Sequence, residues 1–312
     1  MEDSGLKVTI QCTVYNHESF LRQCMDGFVM QKTNFRFEAI VHDDASTDGS
    51  AAIIREYAEK YPEIIKPIFE KENLYSKRDG SLRRVMYANT HGKYVAICEG
   101  DDYWTDPYKL QKQVDFLESH PGYVMCSHRW REYMQTEDAF SEIAEFPESG
   151  VEYDLNTLVH GKWFFQPLTV VYRRDALDLD RFTYKYAIDV VLFYELLKQG
   201  KGYCLPDVMA VYRIHSGGVW SKIALDRQRK MEFDVRLDIY DREKSDEAAT
   251  FILSEFARNI GRRWMLKHIG MMCEVSRILS RHFGFSFTAK MMLNKFLFNK
   301  LLDSSQLNRY DS

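Results

Sequence analysis

The sequence predicts an α/β fold: a Rossmann-like, mainly parallel sheet flanked by helices, followed by a helical C-terminal extension. Three observations lead there. Short β-branched and apolar runs alternate with apolar stripes at helical spacing through the first two thirds of the chain. Polar loops rich in Asp, Ser, Thr and Gly follow several of those runs. From about Ser221 strand signals stop and long helical patterns take over. The expected limits are therefore 1–221 for the main domain and 222–312 for the extension.

Val8-Thr9-Ile10-Gln11-Cys12-Thr13-Val14 is a β-branched run that reads as the first strand. Phe20, Leu21, Cys24, Met25, Phe28 and Val29 recur at helical spacing behind it. Phe37 to Val41 is a second apolar strand that stops abruptly at His42-Asp43-Asp44. Ile53, Ile54, Tyr57, Ala58 and Tyr61 form the next helical stripe, Lys66 to Phe69 a third strand, and Tyr94 to Cys98 a fourth. Asp106-Pro107 predicts a helix start, with Asp as cap and Pro in the first turn. Leu110, Val114 and Leu117 mark that helix's buried face. Residues 126–165 read as mixed and loop-rich, and Thr169 to Tyr172 and Gly202 to Leu205 as further strands.

A hydrophobic share of 45% supports a real core, and a net charge of −4 argues against a general nucleic-acid binder. The charge is uneven. Glu255 to Leu302 carries nine Lys/Arg against two acids, or +7, which leaves −11 on the rest. Arg258, Arg262, Arg263, Lys267, Arg277 and Arg281 interleave there with Phe256, Ile260, Trp264 and Met271. Such a stretch lies on an anionic membrane surface, or it is a solvated face or a homodimer contact. The six cysteines contain no C-x-x-C pair and read as buried free thiols of a reducing compartment. The start MEDSGLKVTI has no signal-peptide pattern, and no apolar run approaches the ~20 residues of a membrane span. The expected location is cytoplasmic, with peripheral contact at the inner face of the cell membrane if the basic helices bind lipid.

The chemistry concentrates at strand ends. At Glu99-Gly100-Asp101-Asp102 an apolar strand runs into three carboxylates within four residues. Like charges this close repel, and a hard divalent cation with oxygen ligands relieves them; a solvated acidic turn is the plainer alternative. In open α/β sheets ligands bind beyond the carboxyl ends of strands. Asp43-Asp44 sits at another such end, before Ser46, Thr47 and Asp48. Those residues suit a turn and helix cap, yet a paired acid exceeds what a cap needs and suits a base N–H or ribose hydroxyls. Thr13-Val14-Tyr15-Asn16 ends the first strand, where Tyr15 either flanks a nucleobase or packs. Asp189 opens an apolar helix, as a cap or as a general base. Tyr212-Arg213-Ile214-His215 ends another apolar run.

In this order and spacing the loops resemble the bacterial glycosyltransferase family 2. The resemblance covers about residues 7–220 and includes Tyr103-Trp104 and Lys109-Leu110-Gln111-Lys112-Gln113. It implies a GT-A Rossmann-like mixed sheet and an inverting transferase that moves a hexosyl or N-acetylhexosaminyl unit from a nucleotide-sugar, a UDP-sugar, in surface polysaccharide synthesis. The acceptor would be a saccharide or a lipid-linked saccharide. On that resemblance Thr13, Tyr15, Asn16, Asp43, Asp44, Arg83, Glu99, Gly100, Asp101 and Arg213 bind the donor. Asp101, Asp102 and His215 would hold Mn²⁺ or Mg²⁺, and Asp189 would deprotonate the acceptor hydroxyl. Trp163 and Gln166 fall where acceptor-loop residues lie. Glu99 replaces the usual aspartate and Ile188 replaces the first acid of a usual pair. Two rivals are a sugar nucleotidyltransferase, although Thr13 to Phe20 lacks the glycines such enzymes carry, and a non-catalytic sugar-binding protein with a decayed site.

Overall fold

The computed structural model describes residues 5–143, 146–178, 189–218, 222–260 and 262–298. Ile188 and the expected boundary at Ser221 lie outside them. The chain begins β1 (Leu6–Val14), α1 (Glu18–Val29), β2 (Arg36–Asp43), α2 (Ser50–Lys60) and β3 (Ile65–Phe69). Helices α3 (Leu74–Lys77) and α4 (Ser81–Ala88) lead to β4 (Tyr94–Ile97), β5 (Tyr103–Trp104) and α5 (Lys109–Ser119). Next come β6 (Tyr123–Met134), β7 (Ala139–Phe140), β8 (Val151–Tyr153), α6 (Leu155–Val159) and β9 (Val171–Arg173). Helix α7 (Asp189–Gln199) precedes β10 (Lys201–Ile214). The remainder is helical: α8 (Leu225–Glu243), α9 (Asp246–Asn259), α10 (Arg262–Lys267), α11 (Ile269–Phe283) and α12 (Phe285–Phe298).

One sheet runs in the order β3-β2-β1-β4-β9-β6-β10-β5, with β7 beside β6 and β8 beside β10. Strands β3, β2, β1 and β4 are mutually parallel, as are β6 and β10. Strand β9 runs antiparallel between β4 and β6. The sheet is therefore mixed and mainly parallel. Val8, Ile10, Cys12 and Val14 of β1 pack with Leu21, Cys24, Met25 and Phe28 of α1 and with Leu110, Val114 and Leu117 of α5 in one buried cluster. Each such side chain contributes roughly 1.5–3 kcal/mol on leaving water.

The mixed, loop-rich stretch 126–165 also takes in most of β6, a 12-residue strand whose polar second half hides its pattern. Two expectations change. Helix α5 starts at Lys109 rather than at Pro107; Asp106 instead accepts the Tyr108 N–H at 2.7 Å, and pairs with Lys112 at 2.8 Å. The strand expected over Thr169 to Tyr172 is displaced to Val171–Arg173, because Pro167–Thr169 forms a 3₁₀ turn.

The chain gathers into two compact units. The first comprises Met1–Asp154, Phe164–Phe182 and Glu195–Gly218 and contains the sheet. The second draws on Leu155–Trp163, Thr183–Tyr194 and Val219–Ser312.

Candidate active site

Strand β1 lies between β2 and β4 in the first unit, all three pointing the same way. Their C-terminal loops therefore emerge side by side along one edge. The first two loops are stitched together. Asn16 Oδ1 accepts the Thr47 N–H at 2.8 Å, and Ser46 Oγ accepts the Asn16 N–H at 2.9 Å. Asp48 Oδ2 accepts the Glu18 N–H at 3.0 Å, and Glu18 Oε2 accepts the Gly49 N–H at 2.9 Å. These bonds hold Asn16 (φ 57°) and Ala45 (φ 62°) in the left-handed region, which is costly for alanine and cheaper for asparagine. Asn16 is thus spent on the loop, whereas Tyr15 beside it is 45% exposed.

Asp43 and Asp44 are both buried but differ in what they do. Asp44 accepts the Leu74 N–H at 2.6 Å on one oxygen and the Tyr75 N–H at 2.9 Å on the other. In this geometry it supports the start of α3. Asp43 Oδ2 accepts only a long bond from the Ser46 N–H, 3.4 Å, and its Oδ1 is buried with no hydrogen-bond partner among the described residues. A bare buried acceptor of this kind calls for a ligand donor.

The third loop closes against the other two because Gly100 has no side chain. A Cβ there would lie 2.8 Å from His17 Nδ1 and 3.0 Å from Val14 Cγ2. The Gly100 N–H donates to the Thr13 carbonyl at 3.0 Å. Glu99 is exposed, while Asp101 is mostly buried. Strand β5 follows at once and pairs antiparallel with β10, setting Val211 opposite Tyr103. That register brings Arg213 and His215 onto the acidic loop. His215 Nε2 lies 3.1 Å from Asp101 Oδ2, and His17 Nε2 lies 3.7 Å from the same oxygen. Asp101 Oδ1 is buried and without a partner among the described residues. Burial pushes the Asp101 carboxyl up, but the His215 hydrogen bond and the charges of His17 and His215 outweigh it and hold it below the usual range. Burial lowers the His17 imidazole more than Asp101 raises it.

Asp102 and Arg213 turn inward. Asp102 Oδ1 accepts the Arg213 backbone N–H at 2.8 Å. Burial, then the neighbouring Asp101 charge, raises the Asp102 carboxyl well above the usual range. The Arg213 guanidinium donates to the Asp101 carbonyl at 2.9 Å, to Gln135 at 3.0 Å and to Gln23 at 2.7 Å. It also lies 4.9 Å from the Phe20 ring centroid and 5.2 Å from that of Tyr103. Asp102 and Arg213 thus hold each other and the Asp101 backbone; the sequence suggested a metal ligand and a donor-binding residue at these two positions. Arg83 sits half-buried on α4, and burial lowers its guanidinium. Gln166 caps the 3₁₀ turn: its backbone N–H donates to Thr169 Oγ1 at 3.0 Å.

His17 was not among the residues expected from the sequence. Its only signal there is its place one residue past Tyr15-Asn16, at the end of the first strand. The proximity to Asp101 comes from β1 and β4 being neighbours.

Asp189 and Trp163 belong to the second unit. Asp189 opens α7 and is reached by solvent. Surrounding protein, then the charge of Glu232, push its carboxyl up to about 6. Ordinary exposed aspartates do not hold a proton so near neutrality, and a general base works best when its pKa approaches the working pH. Among the described residues no three His, Cys, Asp or Glu side chains are grouped to hold a metal ion.

Residues 9–179 match the Glycosyl transferase family 2 model. An uncharacterized protein of Mycobacterium tuberculosis is 36% identical over 266 residues, covering 82% of this chain and 73% of its own. TuaG of Bacillus subtilis, provisionally named a teichuronic acid biosynthesis glycosyltransferase, is 26% identical over 224 residues, 69% of this chain and 81% of its own. Among solved structures, S. aureus TarS 1–349 in complex with UDP-GlcNAc superposes with a TM-score of 0.67 at 16% identity, covering 93% of this chain and 89% of that one. The mannosyltransferase PcManGT of Pyrobaculum calidifontis, in complex with GDP-Man and Mn²⁺, gives 0.56 at 16% identity, covering 94% and 88%. At such identities the structural likeness speaks for the fold, which is GT-A. The sequence match goes further, and by it the chain belongs to glycosyl transferase family 2.

Proposed function

We propose that this glycosyltransferase moves a sugar, with inversion, from a UDP-sugar to a saccharide or lipid-linked saccharide acceptor in surface polysaccharide synthesis. One observation carries the reading. Two buried carboxylate oxygens, Asp43 Oδ1 and Asp101 Oδ1, at the ends of β2 and β4, have no hydrogen-bond partner among the described residues. One strand separates those ends, so they stand roughly 10 Å apart, a distance a nucleoside diphosphate spans. Asp43 accepts the base N–H, and the exposed ring of Tyr15 offers a stacking face. TarS in complex with UDP-GlcNAc and PcManGT in complex with GDP-Man share this fold. The name of TuaG points to a surface polymer.

Asp101 with His215 suits Mn²⁺ or Mg²⁺: a carboxylate with one bare oxygen, an imidazole, and room for phosphate oxygens to complete the shell. Two protein ligands suffice where the substrate supplies the rest. When bound, the cation stabilises charge on the departing diphosphate. The residues of the chain do the remainder. His17 and Arg213 orient Asp101, and Asp189 takes the proton from the acceptor hydroxyl. The exposed Leu266, Ile269 and Phe285 stand in the basic C-terminal stretch, which sets those helices against an anionic membrane that holds a lipid-linked acceptor.

The test is thermal stability with UDP, UDP-sugars and GDP-mannose, each with and without Mn²⁺. A ligand at about 100 times its Kd adds ~2.7 kcal/mol of apparent stability. UDP with Mn²⁺ should raise Tm, Asp101→Asn should abolish the metal-dependent part, and the donor should release UDP slowly without acceptor. A chain that binds UDP yet never turns over any donor would be the decayed sugar binder. No metal-dependent shift with any nucleotide would end the proposal.

A further inference from the structure

The second unit contains a cavity of its own, about 380 Å³, open to solvent. Trp163, Arg229, Glu232, Arg236, Glu255 and Arg258 are among its lining residues. Its floor is Arg236 on α8, whose side chain is 2% exposed. The guanidinium pairs with Glu232 and, at 3.2 Å, with Glu255, and lies 4.3 Å from the Phe251 ring centroid. Three arginines, Arg229, Arg236 and Arg258, line the cavity against two acids, a balance of +1 that favours an anion over a cation. Arg236 Nε is buried and has no partner among the described residues, a donor that a ligand oxygen would satisfy.

Arg258 is held in place at the end of α6. Its Nη1 donates to the His160 carbonyl at 3.1 Å. A Cβ on Gly161 would fall 1.3 Å from that Nη1, and Gly161 has φ +76°. Only glycine permits both the turn and the guanidinium lying against it. Trp163, two residues on, adds an indole wall of the kind that packs on the apolar face of a sugar ring. Glu232 also links the cavity to Asp189, since its charge is felt at that carboxyl.

We propose that this cavity is the acceptor subsite and takes a saccharide unit bearing an anionic group, a phosphate or a carboxylate. The proposal rests on the glycosyl-transfer reading for the word acceptor, but the binding itself does not.

The experiment uses the full chain and the part of its tryptophan fluorescence that Trp163→Phe removes. Glucose 6-phosphate, glucuronate, glucose and inorganic phosphate are titrated separately. At least one anionic sugar should saturate the signal with an affinity tenfold or more above that of glucose, and which one saturates identifies the anionic group. Arg229→Gln and Arg258→Gln should each weaken it at least fivefold, Arg258→Lys less. Gly161→Ala should mimic Arg258→Gln; if it lowers Tm, the arginine variants carry the test. Equal binding of glucose, no saturation by either anionic sugar, or indifference to the arginines would overturn the proposal. Inorganic phosphate binding as well as the sugar phosphate would overturn its saccharide half. Neither donor nor turnover is needed. Anionic sugars binding without any nucleotide shift would retain the site and remove the transferase reading, and the reverse would do the opposite.

Discussion

Asp101 and Asp102 are adjacent and chemically identical, yet the structure separates their work. Asp101 faces two imidazoles and keeps one oxygen bare. Asp102 is spent on a backbone N–H of β10. The same division splits Asp43 from Asp44. Sequence showed that each pair was present; it could not show which member a backbone N–H elsewhere in the chain would consume. Asp189 carries the pH prediction. As general base it must be ionised, so turnover at saturating donor should fall about tenfold per unit below pH ~6. Asp189→Asn should abolish turnover while leaving UDP affinity within a factor of two, as titration of the variant checks. The linkage sign also follows. A carboxyl raised from 3.8 to about 6 on folding costs stability once pH exceeds its folded pKa. The Asn variant should therefore be the more stable protein at pH 7.5 and no more stable below pH 3.8. A rate flat from pH 5 to 8 would remove Asp189 from the role.

Elements were legible where one periodicity ran unbroken, as in β1, α1, β2 and α2. They were hidden where a strand changes surroundings along its length. Strand β6 is buried over its first half and only partly so over its second, so its alternation fades midway. Helix α5 hides something else. Lys109, singled out from the sequence only within the run Lys109 to Gln113, is fully buried. Its Nζ donates to Gln113 Oε1 at 2.7 Å and lies 4.1 Å from the Trp104 ring centroid. Gln113 in turn donates to the Cys126 carbonyl at 2.6 Å and the Thr169 carbonyl at 2.8 Å, tying α5 to β6 and to the turn before β9. Burial drops the Lys109 ammonium from 10.5 to about 7. The unfolded chain binds this proton up to pH 10.5 and the folded one only to about 7, so stability should rise as pH climbs between them. Lys109→Met should flatten that rise in Tm between pH 7 and 10. An unchanged slope would mean the ammonium stays charged in the core.

At the scale of the molecule the charge asymmetry has a structural counterpart. Over its described residues, 255–260 and 262–298, the basic stretch falls on α9 through α12, in the second unit, where Leu266 (54%), Ile269 (65%) and Phe285 (78%) are exposed. Among the described residues no helix is long and apolar enough to cross a membrane. The expected behaviour is reversible binding. The protein should sediment with vesicles containing phosphatidylglycerol at low salt and not with neutral ones. It should be released at about 0.5 M salt, where screening is strong, and Phe285→Glu should weaken the binding severalfold. Equal recovery with neutral vesicles, or none with either, would leave the basic face to solvent or to a second copy of the chain. Five of the six thiols are buried, as expected, while Cys273 is exposed.

By itself the sequence determined the run of strands and helices, the acids at the strand ends and the family, because periodicity and motif order are local properties of the chain. Only the tertiary structure decided which of those acids stays available, that His17 reaches Asp101, and that Lys109 loses its water. Each depends on which elements pack together, and for Asp101, Asp102 and His17 the partners stand more than 70 residues away in the chain, a distance no local pattern records.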